Sequence, residues 1–403
     1  MIEQADVLAA HDRVAETARH TPLDYSYTFS EMTGADVHLK LETFQRTGSF
    51  KIRGATNKIA TLSEAEQAAG VVTASAGNHA QGVALAATRI GVDSTIVMPE
   101  DAPVSKVQAT RSYGGRVVLH GADYDEAAER AHEIERQEGR TYVHAFDDPA
   151  VMAGQGTIGL EILEDLPGVD TVVVPIGGGG LISGIATAVK AADEDIRVVG
   201  VQAEGASSVA DSLTKGRVVE RDSVETIADG IATRKVGEQT FAVIRERVDD
   251  VVTVTDDETA VALTTLLERG KTLVEGAGAV ALAALLEGTF DYDEGETVVP
   301  CLCGGNIDLN LLTTVIMRGL VQTGRYLRFR TVLKDRPGEL ERLVRVISDQ
   351  QANIYAIEHG RTSRDVAMND AEVELDLETR GPDHVDELLE ALREAGYEVE
   401  VLL

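Results

Sequence analysis

The stretch TVVVPIGGGGLISG, Thr171 to Gly184, decides the fold. A run of β-branched residues ends in a proline and an isoleucine, four consecutive glycines follow, and an Ala-rich stretch of helical period comes next. Nearly continuous hydrophobicity in so short a run means burial on both faces, which is how strands of a parallel sheet read when helices cover it. Five further runs have the same character: VVTAS (Val71 to Ser75), STIVMP (Ser94 to Pro99), RVVLH (Arg116 to His120), RVVGVQ (Arg197 to Gln202) and TVVPCLC (Thr297 to Cys303). Longer helical stretches separate them from about Val37 to Gly305, so the spacing predicts an α/β architecture. No repeat at a fixed period and no low-complexity segment interrupts it.

After about Thr323 the grammar changes. Tyr326 to Leu333 reads as a strand, Pro337 to Gln350 as a helix opened by Asp335 and Pro337, and Asn353 to His359 as a second strand. Ala371, Val373, Leu375 and Leu377 then alternate with Glu372, Glu374, Asp376 and Glu378, the mark of a strand with one wet face. Val385 to Ala395 gives another amphipathic helix and Tyr397 to Leu402 a last strand. The order βαββαβ is a ferredoxin-like split unit large enough to fold by itself, and a boundary is expected near Gly324.

A chain of 403 residues allows two to three domains at roughly 150 residues each. Its 37 basic against 68 acidic residues leave a net charge of −31, which argues against nucleic acid or an anionic membrane as the main partner. Hydrophobic content of 43% is ordinary for a packed protein, so the acid excess belongs to the surface. Only nine of the basic residues are lysine, a balance that suits solubility in high salt, where screening quiets self-repulsion. The cysteines, Cys301 and Cys303, stand too close for a structural disulfide and are too few for a zinc site. The N-terminal MIEQADVLAA has acids where a secretory signal needs bases, and no apolar run approaches the ~18 residues of a membrane helix. A soluble protein of a reducing cytoplasm is expected.

Four stretches carry chemistry. TGSFKIRGA (Thr47 to Ala55) holds one lysine, Lys51, among small and polar residues. Such an amine forms a Schiff base with a carbonyl cofactor and, once displaced, can take a proton from an amino-acid α-carbon. Alone, the motif is weak and reads more readily as a solvated lysine ahead of a helix. SAGNHAQG (Ser75 to Gly82) follows a strand and opens a helix, offering backbone N–H groups to a carboxylate and the Asn78 amide either to a ring oxygen or as a helix cap. The tetraglycine Gly177 to Gly180 can wrap a phosphate at a helix N-terminus or let a helix pack closely on the sheet. It is neither GxGxxG nor a Walker loop. CLCGGN (Cys301 to Asn306) again ends a strand, and parallel sheets bind ligands outside the carboxyl ends of their strands, so all four turns can meet in one crevice.

In this order the four motifs resemble the threonine/serine dehydratase family of fold-type II pyridoxal-phosphate enzymes. The resemblance covers about residues 5 to 320, and HAFDDPAVMAGQGT (His144 to Thr157) and IADGIA (Ile227 to Ala232) are similar to further stretches of that family. DRPGEL (Asp335 to Leu340) resembles part of an ACT regulatory domain. The resemblance implies a tryptophan synthase β-like, two-subdomain parallel-sheet catalytic core over residues 1–324, with the smaller subdomain at roughly 45–150. An ACT-like ferredoxin-like domain would follow over 325–403.

The resemblance also implies roles. Lys51 would hold pyridoxal 5'-phosphate and act as the base, with Phe50 against the ring. Gly177, Gly178, Gly179, Gly180 and Leu181 would cradle the phosphate. Asn78 would bond the ring hydroxyl and Cys303 lie beside the pyridine nitrogen. Ser75, Ala76, Gly77, Asn78 and His79 would bind the substrate carboxylate. L-Threonine would give 2-oxobutanoate and ammonia, and L-serine pyruvate. Ala76 stands where serine-racemising members carry a serine, which disfavours racemisation. Gln202 and Ser208 replace acidic cation ligands of some relatives, so no metal is assigned. Glu275, in VEGAGA, is open between direct participation and structure. Arg336, Gly338 and Asn353 would bind an amino-acid effector such as isoleucine or valine, in a homo-oligomer, tetramer or dimer. The rival readings are a serine or 3-hydroxyaspartate β-eliminase or racemase, and a catalytically silent amino-acid sensor.

Overall fold

Each of the six apolar runs forms a strand in the computed structural model, which describes residues 1–361 and 367–402. Contacts divide the chain into two units, Met1–Asp308 and Leu309–Leu403. The division falls before the Leu309–Gln322 helix, whereas the sequence places it near Gly324; that helix turns at Gly324 directly into the strand it touches, so it counts with the second unit.

Among the described residues the first unit holds two sheets. The larger is built from β1 (Leu23–Tyr25), β2 (Asp36–Leu41), β7 (Thr171–Pro175), β8 (Arg197–Ala203), β9 (Asp250–Val254) and β10 (Thr297–Leu302), in the order β1-β2-β10-β7-β8-β9. All its pairings are parallel except that of β1 with β2. The smaller is wholly parallel, β5-β4-β3-β6, from β3 (Val71–Ala74), β4 (Ser94–Met98), β5 (Arg116–Leu119) and β6 (Thr141–Tyr142). The strands β3, β4 and β7 are buried throughout, as their unbroken hydrophobicity requires. The Arg116 to His120 run departs from that pattern: β5 is half exposed because it closes the edge of its sheet. Packing of Ile52, Ala55, Val83 and Leu85 against Ile96 and Met98 fastens the helices Lys51–Ala60 and Asn78–Ile90 to the smaller sheet. No helix among the described residues is long and apolar enough to cross a membrane.

The second unit pairs β11 (Tyr326–Lys334), β12 (Asn353–Gly360), β13 (Asp370–Glu378) and β14 (Val399–Val401) in the antiparallel order β12-β13-β11-β14. The helices Glu339–Asp349 and Pro382–Glu394 complete the βαββαβ sequence of an ACT-like domain. In β13 the alternating residues Ala371, Val373, Leu375 and Leu377 are all buried, the last three in one cluster with Leu343, Ile347 and Leu388 of the two helices.

Candidate active site

A cavity of about 770 Å³ opens where the carboxyl ends of β3, β7 and β10 converge. Parallel strands deliver their following turns to that end, and three of the four motifs arrive there on such turns. The fourth, the lysine motif, is stitched to the end of β10: Ser49 bridges Gly304, and the Phe50 N–H donates to the Cys303 carbonyl at 3.2 Å.

Lys51 is the first residue of its helix and faces the cavity, so the reading as a solvated lysine falls away. Its Nζ donates to the Ala145 carbonyl at 3.0 Å and lies 5.0 Å from the centre of the Phe50 ring. Burial pushes the amine down to about 8, against the opposing influence of Cys303 and Glu275. That shift leaves roughly a tenth of the amine neutral at pH 7, the form a nucleophile or base needs.

Asn78 is not a cap. Gly77 occupies the capping position, while Asn78 Nδ2 donates to Glu275 Oε1 at 2.6 Å and Asn78 Oδ1 accepts from Asn306 Nδ2 at 2.7 Å. Asn306 Nδ2 also donates to the Thr47 carbonyl at 2.7 Å, so the amide orientation is fixed from both sides of the crevice. Glu275 is raised by burial to about 7, although the Asn78 hydrogen bond pulls the other way. Cys303 Sγ donates to the Ala277 carbonyl at 3.2 Å. Burial first, and the Glu275 carboxylate second, push this thiol well up, so it is neutral.

The tetraglycine is compatible with both readings offered for it. A Cβ on Gly178 would overlap the Phe146 ring, and Gly179 has φ +93°, a left-handed conformation that favours glycine. Among the described residues, the N–H groups of Gly177 to Leu181 find no acceptor in the protein, although these residues are buried. Buried donors without partners are costly unless an anion takes them. They stand at the N-terminus of the thirteen-residue Gly180–Ala192 helix, whose dipole favours negative charge. An amine for an aldehyde, amides for a phosphate, and Asn78 and Cys303 for a ring edge fit pyridoxal 5'-phosphate.

Ser75, Gly77 and His79 also line the cavity. His79 Nε2 donates to the Val143 carbonyl, 2.9 Å away, and burial with the nearby Lys51 charge pushes the imidazole down to about 3. A carbonyl accepts only, so Nε2 carries the proton and the ring acts as a neutral strut beneath the loop. The Ala76 side chain packs against the smaller subdomain's core.

The pyridoxal-phosphate dependent enzyme family model matches residues 14–304. The chain belongs to that family. Over 402 residues it is 47% identical to an L-threonine ammonia-lyase of Thermotoga maritima, covering 100% of both chains. It is 49% identical to one of Geobacter sulfurreducens, covering 100% of this chain and 98% of the other. The processed form of threonine deaminase isoform 2 from Solanum lycopersicum superposes with a TM-score of 0.76 at 41% identity, covering 78% of this chain and 91% of that one. This pyridoxal-phosphate-dependent enzyme therefore sits in the threonine ammonia-lyase branch.

Several functional groups of the enzyme were not legible in sequence. The Ala145 carbonyl that holds Lys51 leaves no mark in residue type, and His144 and Phe146 were visible only as part of a similar stretch. In the second unit, Arg336 pairs with Glu339 at 2.7 Å and Asn353 Nδ2 donates to Glu378 at 2.8 Å, while Gly338, at φ +96°, starts the Glu339–Asp349 helix. None of these contacts joins two of the three residues.

Gly178→Ala tests the glycine loop. Forcing a methyl into the Phe146 ring costs roughly 1–3 kcal/mol of packing, so titration of the apo-protein should show cofactor affinity weakened about tenfold or more. Gly168→Ala, where a Cβ meets nothing within 4 Å, should leave it unchanged.

Proposed function

We propose that this enzyme converts L-threonine to 2-oxobutanoate and ammonia, and L-serine to pyruvate at the same site. The observation that carries the reading is the meeting, in one cavity, of the Lys51 amine with the unpartnered amides of Gly177 to Leu181. Bound pyridoxal phosphate supplies the electron sink that makes a substrate Cα–H acidic. Lys51 would anchor that group, the glycine-loop amides its phosphate, and Asn78 and Cys303 its ring edge. The amides of Ala76, Asn78 and His79, which find no acceptor among the described residues, are suited to the substrate carboxylate at the N-terminus of the Asn78–Ile90 helix. Once an amino-acid substrate has displaced it, the Lys51 amine can take the Cα proton. The hydrogen bond to Ala145 holds Nζ on the cavity wall meanwhile.

Cys303 tunes the outcome. A neutral thiol does not force a pyridine nitrogen beside it to stay protonated, which restrains the sink and favours elimination over transamination. Cys303→Asp should shift products from keto acid and ammonia toward pyridoxamine-type side products, read by chromatography of the released cofactor; an unaltered partition refutes this role.

A keto-acid assay in molar salt with L-threonine, L-serine and 3-hydroxyaspartate tests the substrate. Threonine should lead serine by roughly 10–200-fold in kcat/KM, since one methyl in a pocket is worth about 1–3 kcal/mol. A preference for hydroxyaspartate overturns the reading. The net charge of −31 suits function in concentrated salt. We infer further that the ACT-like unit binds a branched-chain amino acid near Arg336, Gly338 and Asn353 in a homo-oligomer. Titration of activity with isoleucine and valine should give saturable curves, because control requires unequal affinity for two states; flat curves remove this part.

A further inference from the structure

We propose that His144 recognises the β-hydroxyl of the substrate, as an imidazole of fixed tautomer that presents Nε2–H to the cavity. The inference rests on the hydroxy amino-acid reading above and names the side chain that would select for that hydroxyl.

The backbone on either side of His144 is pinned. The Val143 carbonyl takes the Thr73 hydroxyl at 2.8 Å and His79 Nε2 at 2.9 Å, and the Ala145 carbonyl takes Lys51 Nζ at 3.0 Å. His144 is thus one residue from the carbonyl that holds the reactive amine. Its Nδ1 accepts two backbone N–H groups, from Phe146 at 3.2 Å and Asp147 at 2.8 Å. A ring nitrogen that accepts hydrogen bonds carries no proton, so the neutral ring's proton is on Nε2. The Phe146 ring meets the imidazole edge to face, with centroids 4.7 Å apart and planes at 88°, which fixes the ring plane.

The charge state agrees with this geometry. Burial lowers the His144 pKa and the Lys51 ammonium adds to the effect, while Asp147 and Asp148 oppose it and His132 adds slightly. His144 lines the cavity, and among the described residues its Nε2 has no protein partner. Its neighbours are occupied: His79 on Val143, Asn78 on Glu275, and the Cys303 thiol on Ala277. The unpartnered backbone amides are arranged for anions, whereas His144 Nε2, one residue from the carbonyl that holds Lys51, is a side-chain donor open to a neutral oxygen, in the same cavity as the Ser75 and Thr233 hydroxyls. A neutral imidazole does not release its N–H proton near neutral pH. His144 therefore orients the hydroxyl, and the proton that leaves with it as water comes from another group.

The test compares leaving groups. Chloride needs no hydrogen-bond donor, so β-chloro-L-alanine serves as the control substrate. His144→Phe should lower kcat/KM for L-threonine and L-serine about tenfold, mostly through KM, and leave β-chloro-L-alanine within about threefold. The visible absorbance of the bound cofactor should stay as in wild type, and His144→Gln, which keeps a donor, should recover part of the loss. Equal losses on all three substrates, or none on threonine, overturn the proposal. If His144→Phe does not fold, nitrogen NMR of the wild-type holoenzyme decides: Nε2 protonated and Nδ1 bare supports it, and any other protonation state overturns it. Wild-type protein that turns over β-chloro-L-alanine but neither hydroxy amino acid removes the underlying substrate reading. Threonine turnover indifferent to His144→Phe removes this inference alone.

Discussion

Lys51→Ala is expected to lower keto-acid formation from L-threonine by about 10⁴-fold, with loss of the visible absorbance of a lysine-bound cofactor. The size follows from two roles meeting in one atom. A positioned base contributes roughly 10²–10⁴-fold, and removing the covalent anchor adds to this. Neither nearby amine is free to substitute: Lys235, which also lines the cavity, is held by Glu220 at 2.8 Å, and Lys58, the other lysine of the same helix, by Asp148 at 2.7 Å. Lys58→Ala is the matched control and should leave both readouts close to wild type. The amine's lowered pKa supplies a further check. Its value of about 8 lies below the ordinary 10.5, so below pH 8 the inert ammonium dominates and above it the nucleophilic amine does. The rate at which apo-protein takes up the cofactor should therefore climb about tenfold per pH unit below 8 and level off above it. Followed by stopped-flow absorbance, a profile that is still climbing at pH 10 would show an unperturbed lysine. That result would contradict the burial seen at this position.

What the sequence discloses is local, and what it hides is paired at a distance. A strand such as Val71–Ala74 is legible because its burial on both faces is written as an unbroken apolar run, and β13 because its one wet face is written as strict alternation. The Gly177 to Leu181 turn is legible because few structures other than a close approach demand four glycines in a row. Thr141–Tyr142 is too short to show a period, and Asp250–Val254, at the edge of its sheet, buries only Val254. Glu275 and Asn78 meet across 197 residues, so no spacing announces them, and the roles of His144 depend on two backbone N–H groups that every sequence possesses. Arg53 is the sharpest case. It stands two residues after the lysine that drew the reading, inside the same motif, yet its partners come from three separated parts of the chain.

Those partners make Glu161→Gln the substitution with the largest expected effect on stability. Arg53 donates to Glu161 at 2.6 and 2.8 Å, to Glu42 at 2.7 and 2.9 Å, to Thr157 at 3.1 Å and to the Arg19 carbonyl at 3.0 Å. Lys40 Nζ donates to Glu161 at 2.7 Å and to the Thr21 carbonyl at 2.8 Å. The side chains of Lys40, Glu42, Arg53 and Glu161 are at most 5% exposed, so two cations are balanced by two carboxylates away from water. The cluster ties the chain before β2, the end of β2, the Lys51 helix and the Pro149–Asp165 helix into one joint behind the reactive amine. Neutralising one carboxylate leaves a buried positive charge uncompensated, which costs about 3–5 kcal/mol. At about 2 °C per kcal/mol for a unit of this size, calorimetry at pH 7 should show Tm lowered by roughly 6–10 °C. Removing the exposed Arg345–Glu341 pair by Arg345→Ala should change stability by no more than about 0.5 kcal/mol, since both groups remain solvated. The pH dependence gives the sign. Burial alone would raise the Glu161 pKa, but the hydrogen bonds from Arg53 and the charges of Arg53 and Lys40 outweigh it and hold the carboxyl below its ordinary 4.5. A depressed carboxyl stabilises the fold above its unfolded pKa and loses that contribution as pH falls through the folded value. The gap in stability between wild type and Glu161→Gln should accordingly be full at pH 6 to 7 and shrink below about 4.5. A gap that stays constant down to pH 3 would mean that Glu161 acts there by shape and not by charge.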